Sequence, residues 1–262
     1  MPTTPAQPSS PAQAPTPWTP HELTDPHARP DKALRVRAMF ASIARRYDMN
    51  NRLHSLWRDQ AWRRAAVRLA NPQPGDRVLD CACGTGDLTL AFARSPASRV
   101  VGIDFTPEML VLARAKAARA RQARVEFVEG DAQALPFADG SFTIVSIAFG
   151  IRNVQDPTRA FDEFLRVLAP RGRLVVLEFD RPNNPVVRSL NNLYSGRIMP
   201  LTATLLSGDR SGAYRYLPRS VGTFLDRRAL GELLASRGFE RVSSTPLTLG
   251  ICACTLACKP GA

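Results

Sequence analysis

The chain has 262 residues, 44% apolar and 22% charged, an ordinary balance for a globular domain with one large core. No stretch approaches the roughly 20 apolar residues that span a bilayer, and no apolar run follows a basic start. Neither a membrane span nor a secretory leader is therefore expected, and the cytoplasm is the default location. A net charge of +12 suits anionic partners such as nucleic acid or lipid headgroups, although a coding preference for Arg, Ala and Pro accounts for much of it.

Residues 1–30 hold nine prolines among Ala, Thr, Gln and Ser, a composition that cannot bury enough apolar surface to order itself, and so predict a disordered tail. Residues 31–74 predict a helical extension facing substrate or membrane. Val36, Met39, Phe40 and Ile43 recur at helical spacing, as do Leu53, Leu56 and Trp57. Nine arginines from Arg35 to Arg68 face only Asp48 and Asp59, the pattern of a basic amphipathic segment or of a solvated helix face.

After Asn71-Pro72-Gln73-Pro74-Gly75, short β-rich runs alternate with helical stretches through residues 75–262. Strands are expected at Arg77–Ala82, Arg99–Ile103, Val125–Val128, Phe142–Phe149 and Arg173–Phe179. Helices are expected at Leu88–Arg94, Glu108–Ala120 and Thr158–Leu168. An insertion at about 181–220 precedes a last helix (Ala229–Arg237) and two strands (Phe239–Thr245, Gly250–Cys258). Such alternation predicts an α/β fold, a mostly parallel sheet with helices on both faces. Cys252, Cys254 and Cys258 alternate within the final strand and read as buried thiols rather than metal ligands.

The first strand, Val78-Leu79-Asp80, runs into Cys81-Ala82-Cys83-Gly84-Thr85-Gly86-Asp87. Glycine lets a ligand approach the backbone closely, but Thr89 stands where the dinucleotide fingerprint needs a third glycine. A nucleoside ligand without a pyrophosphate fits better. Asp104 ends the second strand, where a carboxylate can accept from both ribose hydroxyls. Asp131 and Ala132 follow the third, where a carboxylate and a backbone N–H can hold an adenine edge. Any single one of these acids could be a helix cap.

A glycine turn followed by an acid after each of the next two strands resembles the class I S-adenosylmethionine methyltransferases, along roughly residues 75–258. The resemblance implies a Rossmann-like fold with a seven-stranded, mostly parallel sheet. A narrower likeness rests on Tyr47-Asp48-Met49-Asn50-Asn51, Asp80 to Asp87, Ala134-Leu135-Pro136-Phe137, Ala148 to Val154, Leu177-Glu178-Phe179, Ser207-Gly208-Asp209 and Tyr214-Arg215-Tyr216-Leu217. Over residues 37–259 the chain is similar to the C-methyltransferases of ubiquinone and menaquinone biosynthesis. It departs from that pattern at Asn50 (usually Met), Trp57 (usually Gly), Ala148 (often small or polar) and Arg171 (usually Gly).

The resemblance implies S-adenosylmethionine as co-substrate, contacted by Thr85, Asp104, Asp131 and Ala132. Gly84, Gly86 and Asp80 belong to the turn, and Ala148 lies nearby. It also implies a polyprenylated quinol acceptor, demethylmenaquinol first and a 2-polyprenyl-6-methoxy-benzoquinol second, with peripheral contact at the inner face of the membrane. No metal is implied. Ring-carbon methylation needs an ionised neighbouring hydroxyl, and lowering a phenol from about 10 by two units takes roughly 2.7 kcal/mol of anion stabilisation. Arg152 is the expected cation, Asn153 a further donor and Tyr47 a ring-orienting group. No base is legible: His54 is the one histidine beyond the tail, and Asp87 and Glu178 are carboxylates near strand ends.

Two other readings compete. A nucleic-acid methyltransferase would need Asn/Asp-Pro-Pro-Tyr after the fourth strand, where Ala148-Phe149-Gly150 stands, or a Pro–Cys nucleophile, which is absent. A non-catalytic scaffold would bind S-adenosylmethionine without turning it over.

Overall fold

The computed structural model describes residues 18–19, 21–207 and 212–261. Residues 1–17 of the expected tail lie outside the described residues, as do Gly208 and Asp209 of the family-like Ser207-Gly208-Asp209 run.

Two helices lead into the sheet domain. α1 (Lys32–His54) buries Val36, Met39 and Ile43, and α2 (Arg58–Ala70) buries Trp62, Ala66 and Ala70. Leu56 and Trp57 break the helix between them with φ of 49° and 62°, left-handed values that cost an L-residue with a Cβ about 1–2 kcal/mol. The glycine usual at Trp57 in the resembled family would relieve that strain. Here the indole is exposed, with the Arg52 guanidinium 5.8 Å above it.

Among the described residues seven strands form one sheet: β1 (Arg77–Cys81), β2 (Arg99–Asp104), β3 (Val125–Glu129), β4 (Phe142–Ala148), β5 (Leu168–Phe179), β6 (Glu240–Leu247) and β7 (Cys252–Cys258). Their order is β3-β2-β1-β4-β5-β7-β6; β1 to β5 run parallel and β7 is antiparallel to both neighbours. The order reverses at β1, which has β2 on one side and β4 on the other, so a crevice opens beyond the carboxyl ends of these strands.

Between strands lie α3 (Asp87–Ala93), α4 (Pro107–Arg119), α5 (Pro157–Val167) and α9 (Arg227–Ser236). Asp156 and Asp226 cap α5 and α9 by accepting two backbone N–H groups each, as short carboxylates at that position do. Trp62, Leu88 and Phe92 cover one sheet face and Phe161, Phe164, Leu230 and Leu234 the other. β7 starts two residues later than expected because Leu249 and Gly250 turn at φ 58° and 86°. Cys252 and Cys254 lie buried on β7, and burial pushes their thiols up.

The insertion is helical: α6 (Pro185–Leu193), a π turn (Tyr194–Ile198), α7 (Met199–Ser207) and α8 (Ala213–Thr223). It joins α1 in a third core of Trp18, Leu23, Val36, Met39, Ile43, Tyr214 and Tyr216, which forms a cap over the crevice.

Two expectations are corrected. The tail is not disordered up to residue 30, because Trp18 stacks on Tyr216 at 4.9 Å and is nearly fully buried. Nor do the arginines of residues 35–68 form one solvated face. Arg63 is buried and paired with Asp59 at 3.1 Å, one helical turn earlier.

Candidate functional site

Beyond β1, β2 and β4 a cleft of about 730 Å³, part of it open to solvent, runs from the glycine turn to α1. Tyr47, Gly84, Asp104, Asp131, Ala132, Ala148 and Asn153 line it; Asp80, Thr85, Gly86 and Arg152 do not. Val36, Phe40, Phe105 and Met109 add apolar lining.

The end at the glycine turn is preset by backbone. Gly84, at φ 55°, donates its N–H to Asp104 Oδ2 at 2.8 Å, and Thr106 N–H reaches Oδ1 at 2.8 Å. A Cβ on Gly84 would meet no atom within 4 Å, so the space beside it belongs to the cleft. Gly86 differs: at φ 82° its missing Cβ leaves room for the Phe127 ring and Ala113, which is packing of α3 and not ligand access. Burial pushes the Asp104 carboxyl up, although its backbone donors oppose this. An ionised carboxylate is an acceptor only, and Asp104 lines the cleft. Asp131 accepts from Gln133 N at 2.9 Å and from its Nε2 at 3.0 Å. An adenosyl group fits this set: open space beside a glycine, two carboxylates held by backbone amides, and a backbone edge at Ala132.

The other turn residues lie behind the wall. Asp80 accepts from Thr89 Oγ1 at 2.6 Å and Ser146 Oγ at 2.8 Å, tying β1 to α3 and β4. Burial pushes its carboxyl up to about 6. Thr85 donates to Asp48 Oδ1 at 2.6 Å and accepts from Lys116 at 3.0 Å, while Lys116 also reaches Asp48 at 2.7 Å. The Thr85 hydroxyl is thus engaged in fastening α1 to the turn, and the expectation that it faces the ligand is corrected.

The 3₁₀ turn Ile151–Asn153 after β4 corrects the expectation for Arg152. The side chain is only 4% exposed, and its Nη1 donates to Glu178 Oε1 at 2.6 Å and to Phe149 O at 2.8 Å. Arg152 Nε and Glu178 Oε2 have no hydrogen-bond partner among the described residues. A buried arginine needs a counter-ion, and in β4 and β5 Ala148 pairs with Leu177, which puts Glu178 beside the turn. The guanidinium is paired there and does not line the cleft. Asn153 does: its Nδ2 donates to Phe149 O at 3.2 Å and its Oδ1 accepts from Tyr216 Oη at 3.0 Å, leaving one amide N–H for the cleft. Tyr47 stands edge-on to Phe40 at 5.8 Å, and burial pushes its phenol up, so it stays protonated and able to donate.

Three contributors escape sequence reasoning. Lys32, 1% exposed, donates Nζ to Val154 O at 2.6 Å; burial and then the charge of Arg152 bring it down to about 8. Gln155 accepts from Ala33 N at 3.1 Å and donates to Arg29 O at 2.9 Å. Both fasten the start of α1 to the loop after β4, and no local pattern marks either. Tyr216 is the third, and the Tyr-Arg-Tyr-Leu run is the signal that points to it.

A family model described as the ubiE/COQ5 methyltransferase family matches residues 29–259. A demethylmenaquinone methyltransferase of Thermus thermophilus is 48% identical over 223 residues, covering 85% of this chain and all of that protein. A ubiquinone/menaquinone biosynthesis C-methyltransferase of Citrifermentans bemidjiense is 43% identical over 228 residues, 86% of this chain and 96% of the relative. Among solved structures, a SAM-dependent methyltransferase from Aquifex aeolicus shares the fold with a TM-score of 0.56 at 16% identity, covering 75% of this chain and 88% of that one.

Proposed function

The chain belongs to the ubiE/COQ5 methyltransferase family, and from that premise we propose that it methylates a ring carbon of a polyprenylated quinol. S-adenosylmethionine is the methyl donor and demethylmenaquinol the first choice of acceptor. The 48% relative is named for that reaction; the 43% relative is named for ubiquinone as well, which makes the methoxy-benzoquinol the second choice. The observation that carries the reading is one cleft lined by the carboxylates Asp104 and Asp131, by the donors Tyr47 and Asn153, and by the apolar Val36, Phe40, Phe105 and Met109.

When bound, S-adenosylmethionine supplies a methyl group on a sulfonium, whose departure as a neutral thioether needs no acid. Asp104 accepts from the ribose hydroxyls, and the Gly84 and Thr106 amides fix its oxygens before the ligand arrives. Asp131 and the Ala132 backbone hold the base, and Ala148 offers backbone only. Gly84 keeps the floor clear. Gly86 and Asp80 shape the turn from behind, and Thr85 ties it to α1.

On the cap side, Tyr47 and the free Asn153 N–H donate to the acceptor's ring oxygen and stabilise the charge that develops as its hydroxyl ionises. Arg152 acts as a positioning residue. It shares the Phe149 carbonyl with Asn153 and so sets the turn that aims the amide. Val36, Phe40, Phe105 and Met109 exclude water from the reacting carbon.

No helix among the described residues is long and apolar enough to cross a membrane. A polyprenyl tail dissolves only in lipid, so the protein works as a peripheral protein at the inner membrane face. To test the function, the purified protein is incubated anaerobically with labelled S-adenosylmethionine and each reduced quinol in detergent, then assayed by mass spectrometry. The expected product is demethylmenaquinol gaining one methylene. Absence of label from both quinols would sink the proposal.

A further inference from the structure

Helix α6 and the π turn after it bury no residue, yet they are not polar. Val186, Leu190 and Leu193 recur at four- and three-residue spacing, then Ile198, Leu201 and Leu205 continue the series, all exposed; Leu190 is 62% and Leu205 75% open. A soluble helix normally turns such a stripe inward. This one turns it outward over nearly 20 residues, about 28 Å at helical rise.

The stripe has neighbours of the same kind. The end of α1 packs on the same helical segment, with Tyr194 Oη donating to His54 O at 3.0 Å and His54 Nε2 lying 2.9 Å from Thr202 Oγ1. That contact sets Leu53, Leu56 and Trp57 beside α6 and α7, all three exposed. Apart from Leu34 and Val111, every large apolar side chain that is exposed among the described residues lies on α1 from Met49 on, in the turn after it, on α6–α7, or at Leu249. Leu249 adjoins Gly250, where a Cβ would meet the Pro182 backbone at 3.4 Å, just before α6.

Charge selects the occupant. Residues 181–207 contain Arg181, Arg188 and Arg197 and no Asp or Glu; Arg188 and Arg197 are exposed among the leucines, and Arg58 follows Trp57. Outward leucines set among arginines, without an acid, match the boundary between acyl chains and anionic headgroups. A second copy of this face would bring arginine against arginine. The position also suits the cleft, because α1 carries Tyr47 on the cleft wall and Leu53 on this face, about 9 Å apart along the helix.

We propose that the outward face of α6–α7, with Leu53, Leu56 and Trp57, is the surface that lies on an anionic lipid bilayer and delivers the cleft to a lipid-dissolved acceptor, the second half resting on the quinol reading above. The membrane footprint therefore centres on the insertion and the turn after α1, and not on the α2 arginines beyond Arg58.

Flotation with phosphatidylglycerol–phosphatidylcholine vesicles tests it. The full chain should float with these and far less with phosphatidylcholine alone. L190S/L201S should weaken vesicle binding by about tenfold per leucine, R188Q/R197Q by roughly thirtyfold on anionic vesicles only, and V111S not at all. Wild-type protein that does not float, or L190S/L201S floating as well as wild type, overturns the proposal. So does a wild-type dimer that L190S/L201S converts to a monomer, since the face would then belong to a second copy. Methyl transfer to a short-tailed, water-soluble quinol should survive in L190S/L201S while transfer to a vesicle-dissolved quinol falls with binding. No transfer to either quinol by the wild type condemns the quinol reading and leaves the flotation result standing on its own.

Discussion

On the sheet side of the cleft, the groups aimed at a ligand are held by neighbours close in the chain or by the adjoining strand. Asp104 is fixed by the Gly84 and Thr106 amides and Asp131 by Gln133. On the cap side, Asn153 is oriented by Tyr216, Tyr216 stacks on Trp18, and Val154 is held by Lys32. The sheet wall is a property of strand ends; the cap wall is a property of long-range packing. Substitutions on the first should act one at a time, and those on the second should spread.

The largest effect is expected where the walls meet. Removing either partner of the buried Arg152–Glu178 pair, as R152M or E178L, should cost about 3–5 kcal/mol in denaturant unfolding, since the other charge is stranded. R152M/E178L together should regain most of that while kcat stays low and S-adenosylmethionine affinity is retained. Equal losses of kcat and affinity would mean that the sheet wall also depends on the pair.

Asp80 gives a second, pH-dependent contrast. Its folded value of about 6 lies above the ordinary 3.8, so the native state holds the proton more tightly. Stability from this group is therefore complete below about pH 4 and is lost as the pH rises through 6, by about 3 kcal/mol in all. Asp80→Asn should flatten that slope in unfolding curves from pH 4 to 7, with cap contacts untouched; an unchanged slope would remove Asp80 from the account.

Binding should separate the walls further. Asp104→Asn should weaken S-adenosylmethionine by about thirtyfold in calorimetry, the worth of about 2 kcal/mol in charge-assisted bonds. The smallest effect belongs to Tyr216→Phe, about 1 kcal/mol of stability, with kcat lowered and cofactor affinity unmoved. A matching loss of cofactor affinity in Y216F would erase the distinction between the walls.

The same distinction explains what was legible in the sequence. The seven strands and the Gly84, Asp104 and Asp131 positions follow from local period and turn chemistry, so they fall within a few residues of expectation. Trp18 was hidden by the prolines around it, because its partner Tyr216 is distant in sequence. The role of Thr85 was hidden likewise, since Asp48 and Lys116 come from other helices. Two misreadings had signals available. Asp59 stands one turn before Arg63 on the same helix, and parallel pairing of the fourth and fifth strands brings Glu178 to Arg152. Counting charges cannot reveal which of them are already matched. The outward leucines of α6 were unreadable for a related reason: periodicity gives a stripe but not the direction it faces.

Since one unbroken helix carries both Tyr47 and Leu53, the angle between the cleft mouth and the leucine face is a matter of helical phase. One residue inserted between them would rotate the two by about 100° while leaving every side chain present, and a one-residue deletion would rotate them as far in the opposite sense. Length in this stretch should therefore tolerate far less variation than composition, and a four-residue insertion should be milder than a two-residue one.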